Sequence, residues 1–131
     1  MWKETLFVLK QKKDFSILLV DDEIMILKPM QRMMERMCGD VVTANDGSEA
    51  WNIYQNRSFS IIVTDLNMPN MNGVELIKKI KAINPNQLII VITAFRQEVE
   101  IEDAKKYGAS VILEKPFSLE SFLDVIKNMP I

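Results

Sequence analysis

The chain of 131 residues contains no histidine, which excludes histidine metal sites, histidine-based catalytic triads and an internal phosphohistidine. Its single cysteine, Cys38, cannot form an internal disulfide and favours a reducing, cytoplasmic location. No apolar run approaches the roughly 18 residues that a membrane-spanning helix requires. The net charge of −2 gives no general attraction for nucleic acid or for an anionic membrane surface. We therefore expect one cytoplasmic domain that binds neither DNA nor membrane.

Short apolar runs rich in isoleucine and valine alternate with stretches of helical periodicity. Such runs are typical of strands buried on both faces, as in a parallel sheet. They lie at residues 17–20, 41–42, 60–64, 88–92 and 111–114. The alternation predicts an α/β fold, a flavodoxin-like three-layer sandwich with a five-stranded parallel sheet in the order 2-1-3-4-5 and five helices.

Residues 1–14 precede the predicted domain, which covers residues 15–129. They combine an apolar patch with several lysines and have no small-residue cleavage site, so a signal peptide is not indicated. We expect a flexible or loosely docked tail, since disorder concentrates at chain termini. The alternative is a contact strip for a partner or for a second subunit.

Polar residues follow four of the predicted strands. Asp21 and Asp22 follow the first strand, Asp65 the third, Thr93 the fourth and Lys115 the fifth. Parallel strands finish at the same edge of their sheet, and open α/β folds bind ligands at that edge. A single acid at a strand end is usually a turn residue. The agreement of four strand ends instead predicts a site for a metal ion and a phosphoryl group.

Three carboxylates at one edge repel one another, and a hard divalent cation is the usual remedy. Mg²⁺ prefers oxygen ligands, and Mn²⁺ is a possible substitute. We expect Asp22 and Asp65 to bind the ion directly, with Asp21 second or through water. The backbone carbonyl of Asn67 is a candidate third protein ligand.

An aspartate carboxylate can also act as a nucleophile and form an aspartyl-phosphate. Asp65 is the best candidate, because it stands alone at its strand end, opposite the acidic pair. Thr93 and Lys115 are donors suited to two oxygens of the phosphoryl group.

Four motifs carry a resemblance to a known family. They are Asp21-Asp22-Glu23, Thr64-Asp65-Leu66-Asn67-Met68-Pro69 with Gly73, Thr93-Ala94 and Lys115-Pro116-Phe117. In this order the chain resembles the receiver domain of response regulators in two-component signalling, over about residues 15–129. The resemblance implies that Asp65 is the phosphoacceptor, that Asp21 and Asp22 form the acidic Mg²⁺ pair, and that Thr93 and Lys115 bind the phosphoryl group. It also implies a cis peptide between Lys115 and Pro116.

The same resemblance implies the partners. Receivers take a phosphoryl group from a histidine kinase or a histidine phosphotransfer protein, and often from small acyl phosphates. The absence of histidine fits this role. Receivers act on a downstream effector domain or protein. They do so through the face formed by the fourth predicted helix, the fifth strand and the fifth predicted helix. A homodimer through that face is possible.

Two positions depart from the family pattern. Receivers commonly carry Tyr or Phe three residues before the lysine, where this chain has Ile112. We interpret Ile112 as a core strand residue, with switching through Thr93 and backbone shifts, the alternative being altered output coupling. Phe95 lies two positions after Thr93, where the residue influences hydrolysis of the acyl phosphate in this family. Its ring cannot orient a water molecule, so the resemblance implies slower loss of the phosphoryl group than in a Phe95→Glu variant. The alternative is an exposed loop aromatic, or one that packs on a partner.

Other function classes remain as alternatives. A phosphatase of the haloacid dehalogenase type would need Asp-x-Asp after the first strand, whereas Asp65-Leu66-Asn67 follows the third. A flavin mononucleotide carrier would need a hydroxyl- and glycine-rich loop where the acids stand. The main alternative is a phosphorylation-independent interaction module with a receiver fold. We expect no enzymatic activity beyond Mg²⁺-dependent self-phosphorylation and slow autodephosphorylation. The chain is either a stand-alone receiver or a piece of a longer regulator.

Overall fold

Helices and strands alternate along the chain in the computed structural model, which describes residues 2–94 and 98–130. The elements are α1 (Trp2–Gln11), β1 (Ser16–Val20), α2 (Ile24–Glu35), β2 (Asp40–Ala44), α3 (Gly47–Tyr54), β3 (Ile61–Asp65), α4 (Gly73–Ile83), β4 (Leu88–Thr93), α5 (Glu98–Lys106), β5 (Val111–Glu114) and α6 (Leu119–Ile126). All five predicted strands and all five predicted helices therefore form, the helices being α2 to α6.

The five strands form one parallel sheet in the order β2-β1-β3-β4-β5, which confirms the predicted topology. Every residue of β1 and β3 is buried. These two strands are neighbours, with Ile17 opposite Ile61 and Val20 opposite Thr64. Chain connections leave β1 and β3 toward opposite sides of the sheet, so a crevice opens between their carboxyl ends.

Two apolar cores cover the two faces of the sheet. Ile17 and Leu19 point into a core shared with α1, α2 and α6. Leu18 and Val20 point into a core shared with α3, α4 and α5. This division follows from the alternation of side chains along a strand. A sheet covered on both faces explains why its strands are continuous apolar runs.

The N-terminal segment differs from the expected tail. Residues Trp2–Gln11 form helix α1, so the described part of the chain has six helices where five were expected. Leu9 is only 1% exposed, and Trp2 and Leu6 pack against the same core. These three residues recur at spacings of four and three, which places them on one face of a helix. The continuous run from Leu6 to Leu9 hides that spacing in the sequence.

No helix in the described part of the chain is both long and apolar enough to cross a membrane.

Candidate functional site

Lys115 joins the acids that follow the first and third strands. Its Nζ lies 3.0 Å from Oδ2 of Asp21 and 3.2 Å from Oδ2 of Asp65. The carboxylate of Glu23 is farther away, with Oε1 at 3.9 Å. Asp21 and Asp65 are buried, and the Lys115 side chain is only 10% exposed. Three of the predicted strand-end residues, Asp21, Asp65 and Lys115, thus meet in one partly enclosed site.

Backbone amides orient both buried carboxylates. Oδ1 of Asp21 accepts the backbone N–H of Glu23 at 3.0 Å, and Oδ1 of Asp65 accepts that of Leu66 at 2.7 Å. In each residue the other oxygen faces Lys115. Each carboxylate is therefore held by a neutral donor on one oxygen and a cationic donor on the other, which fixes its direction.

Burial shapes the electrostatics of the site. It raises the pKa of Asp65 above the ordinary range, and the charge of Asp21 adds to this, although Lys115 and the Leu66 amide oppose it. Burial works to lower the pKa of Lys115, but the hydrogen bond to Asp21 and the charges of Asp65 and Asp21 outweigh it, so the pKa is raised. Lys115 is thus an ammonium at neutral pH.

Four acids gather around this ammonium. Asp21, Asp22, Glu23 and Asp65 each offer one carboxylate oxygen, and these oxygens all lie within 4.8 Å of one another. Asp22 and Glu23 are exposed, so the cluster opens to solvent on one side. Four acidic side chains thus share one ammonium. An all-oxygen donor set with surplus negative charge and a solvent side fits a hard divalent cation that keeps part of its water.

Glu23 is the member of this cluster that the sequence reasoning did not identify as a candidate ligand. It appeared there only as part of a motif. The turn that brings it back toward the site is marked by its backbone N–H donating to Asp21. An acid two residues after a strand-end acid, at the N-cap of α2, is the signal that would have found it.

Thr93 ends β4, the strand next to β3, and Asn67 follows the end of β3. Thr93 is buried, its hydroxyl donates to the carbonyl of Ala94 at 3.0 Å, and its own carbonyl accepts the backbone N–H of Lys115 at 2.8 Å. The end of β4 is therefore tied to the residue that carries the ammonium. Asn67 is exposed in the connection between β3 and α4, two residues after Asp65.

Gly73 brings the start of α4 against the candidate phosphoacceptor. Its backbone N–H donates to the carbonyl of Leu66 at 2.8 Å. A Cβ on Gly73 would collide with the carbonyl oxygen of Asp65 and would lie 2.8 Å from Cα of Leu66. Glycine is therefore required here by a close approach of two backbones.

The structure also bears on the remaining expectations. The peptide between Lys115 and Pro116 is cis, as the resemblance implied. Ile112 is partly buried and packs against the core on the α3, α4 and α5 side, as a core strand residue would. Phe95 lies outside the described residues, so the expectation for it stays a prediction.

A five-stranded parallel sheet with acids at the ends of β1 and β3 and a lysine after β5 has the layout of a receiver-type signalling domain. Residues 17–127 match the family described as the response regulator receiver domain. The chain belongs to this family, which functions in two-component systems. The resemblance in its motifs is thereby confirmed.

Known relatives agree with this assignment. The chain is 34% identical to the "Chemotaxis protein CheY homolog" of Campylobacter jejuni over 118 residues, covering 87% of this chain and 91% of that protein. It is 32% identical to the "Uncharacterized transcriptional regulatory protein YesN" of Bacillus subtilis, but it spans only 32% of the length of that protein. A solved receiver-domain structure from Clostridium thermocellum superimposes with a TM-score of 0.80 at 30% identity, covering 87% of this chain and 92% of that one.

Proposed function

We propose that this receiver accepts a phosphoryl group on Asp65 from a phosphohistidine of a histidine kinase or a histidine phosphotransfer protein. The observation that carries the proposal is the Lys115 ammonium, held between the buried carboxylates of Asp21 and Asp65. An ammonium in this position is a ready donor to a phosphoryl oxygen attached to Asp65.

The acids supply a site for Mg²⁺, with Mn²⁺ as a possible substitute. Asp22 and Asp65 would bind the ion directly, Asp21 directly or through water, and Asn67 through its backbone carbonyl. When bound, the ion neutralises negative charge on the phosphoryl oxygens. Glu23 is close enough to the other carboxylates to contribute through water.

The transfer joins Asp65 to phosphorus and releases the donor imidazole. A carboxylate oxygen of Asp65 attacks phosphorus, an O–P bond forms, and the P–N bond to the donor imidazole breaks with its electron pair remaining on nitrogen. Lys115 moves its hydrogen bond from Asp65 to a phosphoryl oxygen. The Thr93 hydroxyl turns from the Ala94 carbonyl to a second phosphoryl oxygen.

The product is a switched signalling state and not a released compound. We propose no turnover of an external substrate, only Mg²⁺-dependent self-phosphorylation and slow hydrolysis of the aspartyl-phosphate. The output would pass to an effector domain or protein in the cytoplasm through the face of α5, β5 and α6. Val99, which is 72% exposed on α5, is an accessible apolar side chain on one of these elements. A homodimer through the same face is part of the proposal.

Intact mass spectrometry tests the proposal. The chain is incubated with acetyl phosphate, with Mg²⁺ or with EDTA, as wild type, Asp65→Asn and the control Asp14→Asn, which changes an exposed acid outside the site. We expect one added phosphoryl group in wild type and control only with Mg²⁺, and none in Asp65→Asn. No adduct from either acetyl phosphate or a phosphorylated histidine donor would overturn the proposal and favour the phosphorylation-independent interaction module.

A further inference from the structure

Asp46, which lies outside the acidic cluster, connects two loops that meet beside the candidate metal site. It is the N-cap of α3, where its Oδ1 accepts the backbone N–H of Glu49 at 2.8 Å. Its Oδ2 accepts the side-chain amide of Asn70 at 2.9 Å. Asn70 belongs to the connection between β3 and α4, which also carries Asn67. One carboxylate thus fixes both the start of α3 and the middle of this connection.

The connection is further shaped at the same place. Asn70 has a φ of 68°, in the left-handed region that asparagine tolerates better than most residues. A Cβ on Gly47 would collide with the carbonyl oxygen of Met71, so the backbones of the two loops touch. The Asp46–Asn70 hydrogen bond therefore closes an interface that is already in van der Waals contact.

Asp46 itself belongs to the connection between β2 and α3. The start of this connection also contacts the other side of the candidate metal site. The backbone N–H of Asp21 donates to the carbonyl of Ala44 at 3.2 Å, and Ala44 ends β2 two residues before Asp46. The connection between β2 and α3 therefore contacts both the segment that contains Asp21 and the segment that contains Asn67. It is placed to set the distance between them.

We infer that Asp46 is a positioning residue for metal binding, because it holds Asn70 and thereby the connection that carries Asn67, the candidate backbone ligand. The inference rests on the proposed function, because it assigns Asp46 to the metal site of that function. Partners outside the ligand shell commonly control metal affinity in this way, by orienting the groups that bind. Without the hydrogen bond from Asn70, the connection between β3 and α4 is ordered only when the ion binds. The free energy of this ordering lowers the affinity for Mg²⁺.

Matched variants separate this role from charge and from helix capping. Asp46→Ser and Asp46→Asn both remove the charge, and both keep an oxygen that can cap α3. Asparagine also keeps a second polar group that can pair with Asn70 once that amide turns over. The serine side chain has one oxygen and cannot reach both partners. Asn70→Gly removes the amide without any change of charge and tolerates the left-handed backbone.

The measurement is an Mg²⁺ titration of each variant, followed by the NMR shifts of the backbone amides of residues 65–67. We expect Asp46→Ser and Asn70→Gly to bind Mg²⁺ about three- to tenfold more weakly than wild type, the range for loss of one hydrogen bond. Asp46→Asn should recover most of the affinity lost in Asp46→Ser. The double variant Asp46→Ser with Asn70→Gly should be no weaker than either single variant, because both remove the same contact.

The outcomes distinguish this inference from the proposed function. If wild type binds Mg²⁺ and is phosphorylated while Asp46→Ser and Asp46→Asn have equal affinities within about twofold, or if the Asp46→Ser and Asn70→Gly effects add in the double variant, Asp46 has no positioning role. If wild type itself neither binds Mg²⁺ nor accepts a phosphoryl group, the proposed function fails first. Urea unfolding of each variant in EDTA checks that a weaker affinity does not arise from partial unfolding.

Discussion

The side chain of Lys115, which follows the edge strand β5, reaches across the carboxyl edge of the sheet to Asp21, which follows β1, with Nζ and Oδ2 3.0 Å apart. The strands β3 and β4 lie between β5 and β1. Asp65, at the end of β3, contributes the second carboxylate on the way. One cation therefore holds together strand ends that are distant in the sheet, and its removal would leave two buried carboxylates facing each other.

We expect Lys115→Met to lower the free energy of unfolding in EDTA by about 3 kcal/mol, because removal of one partner of a buried ion pair leaves charge unpaired. Millimolar Mg²⁺ should restore part of this loss, since a cation in the acidic cluster replaces the missing ammonium. Urea unfolding in EDTA and in Mg²⁺ measures both effects. Lys105→Met is the control, because its pair with Glu102 is exposed and is worth less than about 1 kcal/mol. An equal loss with and without Mg²⁺ would show that the ion does not bind beside Lys115.

Gly73→Ala should disturb the site from the backbone. The new methyl group would collide with the carbonyl of Asp65, so the start of α4 must move away from this residue. We expect a loss of about 1–3 kcal/mol in unfolding free energy, together with slower phosphorylation by acetyl phosphate. Gly39→Ala is the matched control, since no atom lies within 4 Å of its would-be Cβ. If the two variants have the same stability and rate, the close approach at Gly73 is not required.

The docked N-terminal helix can be tested in the same way. Leu9 is 1% exposed in the core beside α6, whereas its neighbour Val8 is 51% exposed. We expect Leu9→Ala to cost about 2–4 kcal/mol in unfolding free energy and Val8→Ala less than about 0.5 kcal/mol. Thermal or urea unfolding of both variants measures these two losses of stability. Similar small effects would mean that residues 1–14 behave as the loosely docked tail expected from the sequence.

The sheet and the strand-end residues were predictable because both follow from local patterns. Continuous apolar runs identify buried parallel strands, and parallel strands bring their last residues to one edge. Asp21, Asp65 and Lys115 could therefore be grouped without any knowledge of long-range contacts. Helix α1 could not be predicted in this way, because the apolar contacts that stabilise it, including those with α6, exist only in the folded chain.

The Asp46–Asn70 contact lay beyond sequence reasoning for a different reason. Both residue types are ordinary in turns, and each has a local explanation, Asp46 as an N-cap and Asn70 as a left-handed turn residue. Their pairing spans 24 positions and depends on how two loops pack. Local propensity carries no information about such a pair.

The ionised form of Asp46 is expected to stabilise the fold in a pH-dependent manner. Its pKa lies below the ordinary value, mainly because of the Glu49 backbone N–H and then because of the Asn70 amide. A group of this kind stabilises the folded state above its unfolded pKa of about 3.9, and the contribution is lost as the pH falls through the lower folded pKa. We expect wild type to exceed Asp46→Asn by about 0.3–1 kcal/mol in unfolding free energy near neutral pH, since the charge also lies at a helix N-terminus. The difference should shrink below about pH 4, because asparagine cannot titrate while every other group is common to the two proteins. Urea unfolding of both proteins across this pH range measures the difference. A difference that grows on acidification would show that the carboxylate of Asp46 is not held in its ionised form by these two donors.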